Sequence, residues 1–98
     1  MKIIYKYVLK IIDEQTLSLP VDATILTAQM QGGYLCLWVL LKDPSGALAN
    51  IVEDKIIRIV GTGMPIDDSY CSEKTYVATV QMPVGELENT LVWHIFVS

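Results

Sequence analysis

A single histidine, His94, and two cysteines, Cys36 and Cys71, are all the imidazole and thiol that this 98-residue chain contains. That scarcity removes the clustered His/Cys sets that zinc and iron–sulfur centres require, and no metal or other cofactor is expected. Cys36 falls inside an apolar run and Cys71 in a polar segment, so the pair reads as one buried and one exposed free thiol. Cations are also few. Seven Lys and Arg against eleven Asp and Glu leave a formal charge of −4. Nucleic acid is held mainly by cations that neutralise phosphates, and anionic lipid needs the same excess, so neither is an expected partner. The longest apolar run, Leu35 to Leu41, is far short of the ~20 residues that span a bilayer. Lys6 interrupts the opening "MKIIYK" and no small-residue cleavage pattern follows, which predicts a cytoplasmic protein.

Apolar side chains, by contrast, make up 52% of the chain. A sequence of this length forms one domain over residues 1–98, and it carries more apolar surface than one small core can bury. Self-association into a homo-oligomer, or a covered partner surface, is therefore expected.

The apolar residues repeat with a period of two. In "IIYKYVLKII", Ile3, Tyr5, Tyr7, Leu9 and Ile11 share one parity while Lys6 and Lys10 take the other, the pattern of a half-buried strand. A turn at Asp13-Glu14-Gln15 leads to a short strand "TLSL" closed by Pro20, and "ATILTAQM" alternates again with Leu26, Ala28 and Met30 on one side. Gly32-Gly33 then marks a two-residue hairpin, since a type I′ turn needs positive φ at both central positions. Tyr34 to Leu41 is apolar on both parities and reads as a central strand. Residues 43–54 lose the period and contain Pro44 and Gly46, which predicts a flexible loop with room for a helical turn. "KIIRIVG", "TYVATVQM" and "TLVWHIFV" complete the strands, with a polar loop over "DDSYCSEK" and a turn over "PVGELEN". About seven mostly antiparallel strands and no amphipathic helix specify an all-β fold, a small sandwich or barrel.

Few residues stand out from that pattern. Gly61-Thr62-Gly63 is a weak anion-binding signal, because glycine amides approach a phosphate closely, yet neither a Gly-Lys-Ser/Thr sequel nor a helix follows. A strand exit through a tight turn is the commoner use of such a pair. His94 lies mid-strand on the parity of Val92 and Phe96 and has no nucleophile near it in sequence, so no catalytic residue is assigned. Asp67-Asp68 with Glu73 falls short of the oxygen count of a calcium site. Gln29, Gln31 and Gln81 sit on polar strand parities beside Thr27 and Thr79; two such strips facing each other make a polar wall near Thr62.

The segments "QTLSLP", "ILTAQ", "CLW", "GTGMPI", "TVQ" and "LVWHIF" together resemble a family of short uncharacterised proteins of phages, prophages and bacteria, over nearly the whole chain. Those relatives often carry histidine before the proline of the fourth motif, where this chain has Met64. The resemblance implies a phage or prophage origin and brings no established activity. Taken with the residues, it leads to a non-enzymatic binding protein of the host-cell cytoplasm, with a counter-defence role that sequesters a small nucleotide-like host molecule. The candidate pocket is Gly61, Thr62 and Gly63, with Gln29, Trp38, Gln81 and His94 as further walls and Arg58, Lys55 or Lys74 to offset the acidic field. The alternatives are an inhibitor or interaction module docking on a host protein through an apolar face or residues 43–54, and a structural phage accessory protein.

Overall fold

The computed structural model describes residues 1–84 and 90–98. Its strands are β1 (Ile3–Leu9), β2 (Glu14–Pro20), β3 (Thr24–Gln31), β4 (Tyr34–Leu41), β5 (Val52–Gly61), β6 (Thr75–Pro83) and β7 (Thr90–Val97). They form two sheets, of order β1-β4-β3 and β2-β5-β7-β6, and every pairing between them is antiparallel. The all-β expectation is met as a sandwich, because the sheets are not joined into a closed barrel. No helix among the described residues is long and apolar enough to cross a membrane.

One parity of each sheet builds a shared core. Leu35, Leu37, Val39 and Leu41 of β4 meet Ile57 and Ile59 of β5, Ile95 and Val97 of β7, and Leu19 of β2. Each such side chain stabilises the fold by about 1.5–3 kcal/mol when fully buried. The β3–β4 hairpin turns where the sequence places it, with φ of 58° at Gly32 and 84° at Gly33. Cys36 is buried and Cys71 exposed, both as free thiols.

Several local expectations are corrected. β5 begins at Val52, so the loop predicted over 43–54 ends earlier: Ser18, Leu19 and Pro20 pair with Asp54, Glu53 and Val52 while Leu19 enters the core. The irregular stretch holds a 3₁₀ turn, Ala47–Asn50, and the polar loop after β5 contains one turn of helix, α1 (Ser69–Ser72). A bulge between Ile25 and Thr27 moves Leu26 to the surface and sends Ile25 toward the core with Ala28 and Met30. β1 ends at Leu9 rather than running on through Ile11, and of its residues only Leu9 is buried. Of the turn predicted over 83–89, residues 85–89 lie outside the described residues.

Beyond β5, residues 62–74 fold back over the outer face of the four-stranded sheet. Tyr70 stands edge-on to Phe96 with ring centroids 5.1 Å apart, and Lys74 Nζ lies 4.6 Å from the centroid of Tyr70. This return segment creates the hollow described next.

Candidate functional site

β5 leaves the sheet at Gly61, and the chain turns at once. The Met64 N–H donates to the Gly61 carbonyl at 3.2 Å, closing a four-residue turn in which Gly63 has φ 88°. A type II turn demands that positive φ at its third residue. The Thr62 N–H is spent as well, donating to the Val92 carbonyl at 3.2 Å. Gly61 is needed for a different reason. A Cβ there would lie 3.2 Å from Trp93 Cζ3 and 3.4 Å from Met64 Sδ, so its bare Cα lets the indole approach. The glycine pair therefore turns a corner. With the amides of Thr62 and Met64 already bonded, it is not a phosphate nest of the kind successive free N–H groups form.

The side chain of Thr62 meets His94. β7 places His94 on the outer face between Thr79 of β6 and Val60 of β5, its direct cross-strand neighbours. Thr62 Oγ1 lies 2.8 Å from His94 Nε2, and Thr79 Oγ1 lies 2.9 Å from Nδ1. Tyr76 Oη continues the chain to Thr79 Oγ1 at 2.6 Å. Each ring nitrogen faces a threonine hydroxyl, which can donate or accept, and the ring plane is fixed from both sides. At the Thr62–His94 end of this chain lies an open hollow of about 320 Å³, lined also by Gly61, Gly63, Met64, Ile66 and Phe96 among others. Its size falls at the low end of small-molecule pockets. It offers the Thr62 hydroxyl, held in place by the imidazole behind it, beside apolar and aromatic walls.

The structure brings Gly61, Thr62, Gly63 and His94 of the expected set together. Gln81 is nearby on the same outer face, two residues beyond Thr79, but does not line the hollow. Gln29 and Trp38 belong elsewhere. They lie in the three-stranded sheet, paired with Cys36 and with Lys6 and Thr27. The Thr27/Gln29 and Thr79/Gln81 strips cannot face one another, because β3 and β6 turn their apolar parities (Ala28, Val80) into the common core and their polar parities outward. The cations do not reach this hollow either. Arg58 forms an ion pair with Glu14 and lines the adjoining hollow with Asp13, Pro65 and Tyr70. Lys55 pairs with Glu53 at 3.1 Å, and Lys74 Nζ donates to Ser69 Oγ at 2.8 Å.

Sequence reasoning missed Met64, Ile66 and Phe96 as walls. Phe96 had a signal, since it shares the parity of His94 two residues away; Met64 and Ile66 arrive through the turn and had none. Asp67 anchors the far end of this segment. Its carboxylate accepts from the Ser69 N–H at 2.9 Å and from the Ser69 hydroxyl, and these bonds hold its pKa below the ordinary 3.8. The acid is thus committed to a local turn. Among the described residues no three of His, Cys, Asp and Glu converge as metal ligands would.

With this geometry in view, the profile of a domain of unknown function, DUF7352, matches residues 1–98. The chain belongs to the DUF7352 family. Because that match spans every strand, the His94 hollow is part of the DUF7352 domain itself and not of an appended segment. No curated protein and no solved structure matches the chain.

Proposed function

We propose that this DUF7352 domain is a non-catalytic binding protein for a small, nucleotide-like molecule, held by its base rather than by its phosphates. The observation that carries the reading is the Thr62–His94 pair, backed by Thr79 and Tyr76, at the wall of a hollow with aromatic and thioether sides. A flat heteroaromatic ring matches both parts: its faces pack on Phe96 and Met64, and its polar edge exchanges hydrogen bonds with the Thr62 hydroxyl, which His94 positions. Phosphate recognition is left out because, among the described residues, no Lys or Arg lines the hollow, and Arg58, Lys55 and Lys74 are engaged with Glu14, Glu53 and Ser69. Binding without turnover is favoured because, among the described residues, threonine hydroxyls occupy both imidazole nitrogens, whereas the catalytic histidine of a hydrolytic triad is oriented by a carboxylate or an amide. The resemblance to phage and prophage proteins gives the biological setting, sequestration of a host-derived signal in the host cytoplasm as a counter-defence.

The test is thermal unfolding of the purified protein against a panel of nucleosides and linear and cyclic nucleotides. One compound is expected to raise the melting temperature by several degrees, as native-state ligands do. The shift is expected to vanish in Thr62→Val and His94→Ala and to persist in Gln29→Ala, whose side chain lies on the other sheet. A flat panel, or a shift indifferent to Thr62 and His94, sinks the proposal.

A further inference from the structure

We infer that the open edge of β1 is a docking site for an acidic, extended segment of another protein, which adds to the three-stranded sheet as its fourth strand. This rests on observations independent of the His94 hollow. Among the described residues β1 pairs with β4 alone, while β3, at the opposite side of that sheet, runs close alongside β6. Among the described residues the edge of β1 is therefore the position where that sheet can grow.

Exposure on both faces of β1 selects a strand as the occupant. On the core-side parity Ile3 and Tyr5 are 37% and 46% exposed, and on the outer parity Ile4 and Val8 are 56% and 58% exposed. A partner lying on one face would cover one of these pairs. A strand hydrogen-bonded along the edge covers both, since its own side chains alternate between faces and stand about 5 Å from their neighbours. The alternation in "IIYKYVL" that predicts a half-buried strand is thus present without the neighbour that would bury it.

Charge selects the chemistry of that strand. Lys2, Lys6 and Lys10 share the outer parity, and none is ion-paired with a carboxylate among the described residues. Lys6 donates to the neutral Gln31 side chain at 2.9 Å. Strands β1, β3 and β4 contain no Asp or Glu, although the chain as a whole carries −4. The same lysines exclude a second copy in two-fold pairing. An axis at Lys6 sets Lys6 against Lys6 and Lys2 against Lys10, and an axis at Tyr5 sets Lys6 diagonal to Lys2 and Lys6 of the other copy; like charges so placed are destabilising. Lysines on an open edge discourage indiscriminate pairing, and a partner with Glu or Asp at alternate positions converts that repulsion into attraction.

The experiment is an NMR titration of the ¹⁵N-labelled protein with blocked nonapeptides of alternating Glu and Val, of alternating Lys and Val, and of Glu and Val with a central proline. The Glu–Val peptide is expected to shift the amides of Ile3–Leu9, and the Lys–Val and proline peptides to leave them unmoved. The triple variant Lys2→Glu, Lys6→Glu, Lys10→Glu is expected to bind Glu–Val at least tenfold more weakly and to take Lys–Val instead. Should the triple variant fail to fold, Lys6→Glu alone is expected to weaken Glu–Val binding at least twofold. Absence of shifts at millimolar peptide, indifference to peptide charge, or perturbation away from β1 overturns the proposal. So does a dimer whose β1 amides are protected from exchange without peptide, which would make a second copy the occupant.

Discussion

Replacing Gly63 separates a turn from a binding loop without any ligand in the tube. At φ 88° the backbone of Gly63 lies in the left-handed region, where an L side chain costs about 1–2 kcal/mol. No heavy atom stands within 4 Å of a Cβ built there, so the cost in Gly63→Ala is conformational and not steric. Alanine also stiffens the unfolded chain, which offsets about 0.4–1 kcal/mol. A net loss of roughly 1 kcal/mol remains, and for a domain of this size that lowers the melting temperature by roughly 4–8 °C. Gly63→Asn is expected to regain part of the loss, because asparagine tolerates positive φ better than alanine. Gly61→Ala provides the contrast. Its Cβ would press on Trp93 and Met64 at 3.2 and 3.4 Å, so the destabilisation is expected to be about 1–3 kcal/mol and to come with altered Trp93 emission in a Trp38→Phe background. Denaturant and thermal melts of ligand-free protein are the assay. Unchanged stability in Gly63→Ala would refute the turn account and return the glycines to a binding role.

Leu37→Ala, in the centre of β4 and fully buried, is expected to cost about 2–5 kcal/mol by opening a cavity; a loss under about 1 kcal/mol in chemical denaturation would contradict the shared core. A thiol reagent is expected to modify Cys71 in the native protein and Cys36 only after unfolding, so labelling of two thiols under native conditions would contradict the burial of Cys36. Asp67 is expected to titrate below 3.8, because the Ser69 hydrogen bonds favour its charged form. Since that shift is downward, the support Asp67 gives to the 67–72 turn is complete above its ordinary value and lost as pH falls through the lower, folded one. A carboxyl-carbon NMR titration with a midpoint at or above 3.8 would remove this account.

Period and punctuation carried the architecture. Alternation in β1 and β3 and continuous apolar runs in strands such as β4 place the strands within a few residues, and Gly32-Gly33 marks its hairpin because only glycine adopts positive φ twice in succession at little cost. His94 was assigned to the parity of Phe96, and both indeed face outward in β7. Strand partners were another matter. Whether Thr79 or Thr27 would stand beside His94 depends on which strand lies next to β7, and nothing local encodes that choice. Gln29 and Trp38 were misplaced for that reason: they have the right polarity on the wrong sheet. The bulge at Leu26 was equally hidden, since it arises where β3 meets β4 out of simple register.

Residue order alone thus determined the class of fold, the two free thiols and the turn after β5, because each follows from backbone geometry and the preference of neighbouring side chains for one side of a strand. Tertiary structure decided the rest. It joined Thr62 to His94 across 32 residues of chain, held the imidazole with a second threonine from β6, and, among the described residues, left β1 open along one edge. Those features are long-range pairings, set by how two sheets share one core, and short-range sequence pattern carries no information about which strands will meet.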